Sequence, residues 1–179
     1  MAEVVSREVL DTVWSMAINT PTRLFAASDL VLAPDPRLRT TLVEALAAGQ
    51  RHARLGGVMA SSLPNLFAVG LAANQIASAE RLFVAALAPR GRAMTFINPR
   101  LLDHSDKEEV GIEGCLSIPA LRCVLRRPDW VELAWTDLNG ERQSGHFEGF
   151  AARVVSHELD HLNGVLMTDR ALELLEDPR

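Results

Sequence analysis

Apolar residues recur at helical spacing in the first third of the chain. Over residues 4–17 they form one stripe, with charged residues on the rest of the helical wheel, so we predict an amphipathic helix. A second helix is predicted from Leu38 to about Arg54, where leucines recur every four residues, and Gly56-Gly57 is expected to end it. Residues 61–65 have the composition of a loop.

The middle of the chain has the apolar runs and alternating patterns of β-strands. Two turns separate them, Pro89-Arg90-Gly91 and the strong hairpin signal Asp137-Leu138-Asn139-Gly140. Residues 103–109 are polar and predict a loop or edge, and the small residues of 68–75, taken alone, favour an alanine-rich turn of helix. Strands are predicted over residues 82–88, 94–98, 121–125, 130–135 and 141–148.

A last helix is predicted from about Phe150 to Leu162, followed by strand-like residues 165–167 and a helical tail. The strands are joined by short turns and not by crossover helices. The predicted fold class is therefore α+β, with antiparallel sheets packed around this C-terminal helix. The length fits a single domain over residues 1–179, and we expect residues 1–30 to form a helical N-terminal extension of unassigned role.

Composition narrows the class of protein. Of the 179 residues 48% are hydrophobic and 23% charged, which is typical of a globular chain. The net charge of −5 and the lack of any Lys/Arg block give no case for nucleic-acid binding, and there is no apolar run of transmembrane length. Charges inside the first helical pattern are unlike a secretory signal, so we expect a cytoplasmic protein whose two cysteines are ligands or core residues.

The predicted C-terminal helix carries the motif H-E-x-x-H at residues 157–161. Residues four apart lie on one face of a helix, so the imidazoles of His157 and His161 would point at a single metal ion. Glu158 would be near enough to accept a proton from a metal-bound water. The alternative is a surface helix with two histidines by chance, but the adjacent apolar stripe favours a metal site.

A catalytic metal site needs a third protein ligand and an open position. The motif continues as H-E-x-x-H-x-x-G, yet Met167 stands where the long metalloprotease motif has its third histidine, and a thioether is a poor ligand for such an ion. Glu173 or Glu176 would give the other protease pattern, in which a downstream glutamate is the ligand.

The upstream candidates for the third ligand are two cysteines and a histidine. Cys115 is a thiolate donor beside a glycine, whereas Cys123 lies in a strand-like run with no flanking glycine. His146, in a hairpin strand, is expected to face solvent. Each cysteine could also be a buried structural residue, so the residue types alone leave the choice open.

Three segments, taken in order, resemble the peptide deformylase family. Residues 68–75 look like its G-x-G-x-A-A-x-Q, residues 113–117 match its E-G-C-x-S, and residues 157–161 match its H-E-x-D-H. The similarity extends from about Pro34 to Arg170. Three motifs in register are far more specific than one.

The resemblance implies a hydrolase of protein biosynthesis and N-terminal processing. It would remove the formyl group from N-formylmethionine of newly made polypeptides and release formate. Cys115, His157 and His161 would bind one divalent ion, mainly Fe²⁺, with Zn²⁺, Ni²⁺ or Co²⁺ able to replace it. A metal-bound water would attack the formyl carbonyl, with Glu158 as general base and then acid.

The resemblance also implies how the substrate is held. The Gln75 side chain and the backbone N–H of Leu116 would form the oxyanion hole. Gly70 and Gly114 would pair with the backbone of the N-formylmethionyl peptide, as an added strand pairs with a sheet edge. From their positions near the motifs, five residues are candidates for lining the pocket of the methionine side chain: Val69, Ile112, Phe150, Val154 and Arg153.

Departures from the family pattern leave other functions open. Ala68, Asn74 and Ser156 stand where the family usually has Gly, Pro and Gln. Alanine at 68 changes the local backbone geometry that glycine allows, asparagine at 74 is expected to loosen the presentation of Gln75, and Ser156 is expected to tune the surroundings of the metal ligands. A deformylase-like enzyme for another small N-formyl compound, a metalloprotease, and a binding protein that kept its metal are the alternatives. The expected partners are peptide substrate and, by resemblance, the ribosome exit region, with no membrane and with a monomer or weak homo-oligomer as the assembly.

Overall fold

The computed structural model describes residues 23–45, 49–88 and 91–177. The predicted helix over 4–17 and part of the predicted turn at Pro89-Arg90-Gly91 lie outside these ranges. The described strands are β1 (Gly70–Ala72), β2 (Leu82–Ala85), β3 (Met94–His104), β4 (Glu108–Cys115), β5 (Ile118–Pro128), β6 (Trp130–Thr136), β7 (Arg142–Glu148) and β8 (Glu173–Glu176). The described α-helices are α1 (Gln50–Leu66) and α2 (Gly149–Leu162), and short 3₁₀ helices span Ala27–Asp29, Pro36–Arg39, Ala73–Ile76 and Met167–Asp169.

The strands form two antiparallel sheets. One has five strands in the order β1-β2-β3-β6-β7, and the other has three in the order β4-β5-β8. Every pairing between described strands is antiparallel, which confirms the predicted α+β class. β1 and β4 are edge strands of their sheets, so each presents unpaired backbone groups on one side.

Helix α2 packs its apolar stripe on the five-stranded sheet. Residues at helical spacing, Ala152, Val155, Leu159 and Leu162, are buried in one core cluster with Phe83, Phe96 and Trp135 of the sheet. This stripe fixes the rotation of α2 about its axis, and the polar residues between its members therefore point in defined directions. Among the described residues no helix is long and apolar enough to cross a membrane.

The prediction of a helix from Leu38 to about Arg54 was wrong in its start, and only residues 50–54 of it are helical. The chain forms a 3₁₀ turn at Pro36–Arg39, residues 40–45 have no regular structure, and α1 begins at Gln50. α1 then continues through Gly56-Gly57, because Gly56 packs against Thr95 where a Cβ would overlap the threonine methyl. Residues 61–65 form the end of this helix and not a loop, and it ends at Phe67 in the left-handed region.

Two further local predictions were corrected. The segment over 68–75 is a strand followed by a 3₁₀ turn, and not a turn of α-helix. The tail forms the 3₁₀ turn Met167–Asp169 and then strand β8, where a strand and a helical end were expected. β8 is a strand because its backbone pairs with β5, a contact that local sequence does not reveal.

Candidate active site

Three segments that are distant in sequence meet at one site. These are the 3₁₀ turn Ala73–Ile76, the end of β4, and the second half of α2. They bring together Cys115, His157 and His161, whose candidate ligand atoms all lie within 4.8 Å of one another. Cys115 Sγ lies 3.2 Å from His161 Nε2. One thiolate and two imidazoles at this spacing form a donor set suited to a single divalent metal ion.

The surroundings of the two histidines differ. The Nδ1 atom of His157 lies 2.8 Å from Glu113 Oε2, which leaves Nε2 to face the cluster. Burial lowers the pKa of His157, but the Cys115 and Glu113 side chains outweigh it and raise the pKa well above its usual value. Burial and the neighbouring His157 lower the pKa of His161. A histidine binds a metal ion through a nitrogen that carries no proton, so metal binding at His157 would require Nε2 to be deprotonated.

Glu158 lies next to the cluster with an unpartnered oxygen. Its side chain is buried, and Oε2 has no hydrogen-bond partner among the described residues. Burial raises the pKa of Glu158 to about 7. Gly70 lies directly against this carboxylate, and a Cβ at Gly70 would overlap it. The glycine is thus required by close approach of β1 to Glu158.

Gln75 has an amide group whose orientation is fixed. Its Oε1 accepts the backbone N–H of Ala72 at 2.9 Å, so Nε2 must be the atom that faces the cluster. Nε2 lies 3.2 Å from Ser117 Oγ and 3.6 Å from Cys115 Sγ. A hydrogen-bond donor is thereby held beside the candidate metal centre.

Behind the cluster lies a buried network of charges. Glu113 receives hydrogen bonds from Arg127 Nε and Nη2 at 3.0 and 2.9 Å and from Arg153 Nη1 at 3.0 Å. Burial raises the pKa of Glu113, but the bonds from His157 and Arg127 outweigh it and hold the pKa at about 2. Arg127 also reaches Asp160 of α2 at 2.5 Å. The network joins the Cys115 segment to the helix that carries both histidines.

A cavity of about 610 Å³ opens beside the cluster. Most of its exposed wall is apolar. The four apolar residues predicted to receive a methionine side chain all line it, and so do the other proposed substrate-binding residues. Its wall includes Val69, Ile112, Phe150, Val154, Gly70, Gly114, Leu116 and Arg153.

The alternative ligands do not join the two histidines. Cys123 is buried in one apolar cluster with Cys115, Leu125 and Met167, but it does not belong to the metal-ligand cluster of the described residues. His146 is partly exposed beside Glu132 and Glu148. Glu173 and Glu176 lie on β8, again outside that cluster. The geometry therefore brings no protease-type third ligand to the two histidines.

Sequence reasoning left one important residue unresolved. Three arginines, Arg122, Arg126 and Arg127, follow the Cys115 motif closely in sequence, and it is Arg127 that pairs with Glu113. The alternation of β5 could have chosen, because Arg127 shares a strand face with the buried Cys123 and Leu125, whereas Arg126 is exposed.

Comparison with known proteins agrees with this geometry. A family model described as polypeptide deformylase matches residues 27–176, beyond both ends of the resemblance seen in the motifs. The chain is 34% identical over 152 residues to a peptide deformylase of Finegoldia magna, covering 85% of this chain and 94% of that one. It is 37% identical over 153 residues to one of Rhizobium meliloti, covering 83% and 87%.

Solved structures give the same result. The peptide deformylase of Thermotoga maritima superposes with a TM-score of 0.76 at 33% identity, covering 80% of this chain and 97% of that one. A Met-Ala-Ser-bound peptide deformylase of Acinetobacter baumannii has a TM-score of 0.75 at 29% identity, covering 83% and 98%. The chain belongs to the polypeptide deformylase family.

Proposed function

We propose that this chain is a metal-dependent hydrolase that removes the N-formyl group of newly made polypeptides. Glu158, Gln75 and Leu116 would act together as its catalytic residues. The observation that carries the assignment is the position of Glu158. It is a buried carboxylate with one oxygen that no described residue bonds, next to a cysteine sulfur and two imidazoles and at the wall of an apolar cavity.

The residues present fit a divalent metal ion held by Cys115, His157 and His161. Cys115 Sγ and His161 Nε2 lie 3.2 Å apart, and the ligand atoms of all three residues lie within 4.8 Å of one another. When bound, the ion supplies a Lewis acid and lowers the pKa of water. We propose Fe²⁺ as the resident ion, with Zn²⁺, Ni²⁺ or Co²⁺ as functional replacements, since thiolate and imidazole ligands suit all four.

Glu158 moves the proton. Its pKa of about 7 lies near the working pH, where a carboxylate both takes and returns a proton efficiently. It would accept the proton of the attacking water and deliver it to the nitrogen that leaves with the peptide. Gln75 Nε2, held by the bond from Ala72 to its Oε1, and the backbone N–H of Leu116 would donate to the carbonyl oxygen as it becomes negative.

The two sheet edges would hold the peptide. Gly70 lies on edge strand β1 and Gly114 on edge strand β4, and both line the cavity. An extended peptide could add its backbone to these edges while its first side chain enters the apolar cavity. The relative with Met-Ala-Ser bound supports a formyl-Met-Ala-Ser substrate. Such a substrate also favours a cytoplasmic location, with encounters near the ribosome exit.

The test measures formate released from formyl-Met-Ala-Ser by anaerobically purified, Fe²⁺- or Ni²⁺-loaded protein. We expect Glu158→Gln to lose about 10²- to 10⁴-fold in rate, as expected for an essential proton acceptor, while keeping its metal. The control is Glu173→Gln, the same change at an exposed residue of β8, which should leave the rate unchanged.

Two outcomes would count against this function. A Cys115→Ala protein with full metal content and activity would exclude Cys115 as a ligand and revive the protease alternative. A metal-loaded wild type that ignores the formylated tripeptide but hydrolyses a smaller N-formyl compound would assign the same chemistry to a different substrate.

A further inference from the structure

The side chain of Asn74 connects the segment that carries Gln75 with the last turn of α2. Asn74 is fully buried, and its Nδ2 donates to the backbone carbonyl of His161 at 2.7 Å. A carbonyl oxygen only accepts, so the orientation of the amide is fixed, and Oδ1 is buried with no hydrogen-bond partner among the residues that the structure describes. An unpaired buried acceptor is unfavourable, so it offsets part of the stability that the bond to His161 contributes.

The acceptor of this bond is a carbonyl at the end of a helix. The last four carbonyl groups of an α-helix have no partner within it. The carbonyl of His161, in the last turn of α2, accepts the N–H of Gly164 just beyond the helix at 3.1 Å in addition to the Asn74 amide. The next carbonyl, that of Leu162, is held by Leu42 N and by the Arg81 guanidinium. Asn74 adds a bond from the direction of the 3₁₀ turn Ala73–Ile76, and so fixes the position of this last turn relative to that segment.

The contacts around Asn74 close a ring. Gln75 follows Asn74 in the chain, and its Nε2 lies 3.6 Å from Cys115 Sγ. Cys115 Sγ lies 3.2 Å from the imidazole of His161, and the backbone of His161 returns to Asn74. A shift of α2 along this ring would change the distance between the Gln75 amide and both ligands at once.

We propose that Asn74 is a positioning residue that sets the distance between the Gln75 donor and the metal ligands through the His161 carbonyl. The proposal rests on the proposed function, in which Cys115 and His161 are ligands and Gln75 is an oxyanion donor. The family pattern usually has proline at this position, and the sequence alone suggested that asparagine would loosen Gln75. The structure shows a side-chain bond that fastens the segment instead.

The test uses Asn74→Leu, which is close in volume and removes both the donor and the unpaired oxygen. Each protein is loaded with Co²⁺, whose thiolate charge-transfer absorbance reports the metal centre without any substrate. Loss of a group that orients a metal ligand typically costs about 10- to 100-fold in metal affinity or activity, and we expect Co²⁺ release to a chelator to accelerate by about tenfold. We expect kcat to fall by about tenfold with little change in KM, because substrate contacts remain.

The control is Ser62→Ala, which removes a buried hydroxyl that accepts Phe25 N and donates to Val58 O in α1. It should lower the melting temperature without altering Co²⁺ release. If Asn74 only supports the fold, Asn74→Leu will behave like this control, and the proposal is overturned. Asn74→Ser, which is too short to reach His161, serves if the leucine variant does not fold, and unchanged Co²⁺ release in it would equally overturn the proposal. A wild type that binds no Co²⁺ would instead overturn the proposed metal centre itself.

Discussion

Two buried carboxylates of α2, only two residues apart, have opposite surroundings. Asp160 accepts hydrogen bonds from Arg127 and Arg170, at 2.5 and 2.7 Å to the same oxygen. Glu158 has no cationic partner of this kind, and one of its oxygens has no hydrogen bond among the described residues. Helical geometry turns the two side chains to different sides, Asp160 to the charged network and Glu158 to the cavity.

This difference distinguishes carboxylates that stabilise the fold from one that can take part in proton transfer. A carboxylate that is fully paired stays ionised, as shown by Glu113, whose pKa is held at about 2 by His157 and Arg127 against the effect of burial. A carboxylate that is buried without such partners has a raised pKa, about 7 for Glu158, and can exchange its proton. Substitutions on the two sides should therefore fail in different ways, by unfolding on one and by inactivity on the other.

The largest effect on stability is expected from Arg127→Leu. Arg127 is buried and bonds both Glu113 and Asp160, so its removal leaves two buried carboxylates without their common partner. Breaking a buried ion pair in this way typically destabilises by about 3–5 kcal/mol. Urea unfolding of the metal-free protein measures the loss. The matched control, Arg126→Leu at the neighbouring exposed position, should change little, and equal losses in the two variants would contradict a special role for the network.

Among the residues that face the cavity, we expect substitution of Gln75 to lower kcat. Gln75→Glu keeps an oxygen for the Ala72 N–H but replaces the donor, whereas Gln75→Leu removes both. Loss of one oxyanion donor typically lowers the rate by about 100- to 1,000-fold. We expect this loss of kcat in both variants and a loss of stability in each, for different reasons. The leucine leaves the Ala72 N–H unpaired, and the glutamate buries a carboxyl group beside Cys115 without a cationic partner. Gln143→Leu in the β6–β7 hairpin is the control for the substitution itself.

If the donor matters, the two Gln75 variants will share a low kcat, whatever their melting temperatures. A glutamate variant with wild-type kcat would show that the amide donates nothing to the reaction. The two variants together distinguish the hydrogen bond that Gln75 accepts from the backbone from the one that it would donate to the substrate.

Local patterns predicted the parts of this molecule that depend on local geometry. The i, i+4 spacing of His157 and His161 required only a helix, and the turn at residues 137–140 required only its own residues. Both are present, and the hairpin strands β6 and β7 follow the predicted ranges closely. Helix α1 was predicted too early in the chain for two reasons. Leucines at a spacing of four lie before it, and Gly56-Gly57 looks like a helix end, whereas Gly56 lies within α1 and packs against Thr95.

The site was predictable to the same extent. The three segments with motif residues do meet, but their meeting depends on sheet pairing that no single segment encodes. The bond from Asn74 to His161 joins residues 87 positions apart, and the pairing of Glu113 with Arg127 depends on which face of β5 is buried. Such long-range partners follow from packing, so they become visible only when the sheets are assembled.

The pH dependence of stability should reveal the contribution of Glu113 and its charged partners. The pKa of Glu113 is about 2 in the folded protein against a usual value of 4.5, so its contribution to stability is fully present above pH 4.5 and is lost as pH falls towards 2. The loss amounts to about 3 kcal/mol at most from this group. We expect metal-free wild type to lose more stability between pH 6 and pH 3 than Glu113→Gln. Parallel curves for the two proteins would contradict the assignment.

The smallest effect is expected at the exposed end of the same network. Arg170 bonds both oxygens of Asp160, but about half of its side chain is exposed, and Arg127 remains as a buried partner when it is removed. Exposed ion pairs contribute about 0–1 kcal/mol, so Arg170→Ala should lower the free energy of unfolding by no more than that. The same substitution in an Arg127→Leu background should have a larger effect, because Arg170 is then the remaining cation on Asp160. Equal effects in both backgrounds would mean that the two arginines act independently and that the charges behind α2 do not form one network.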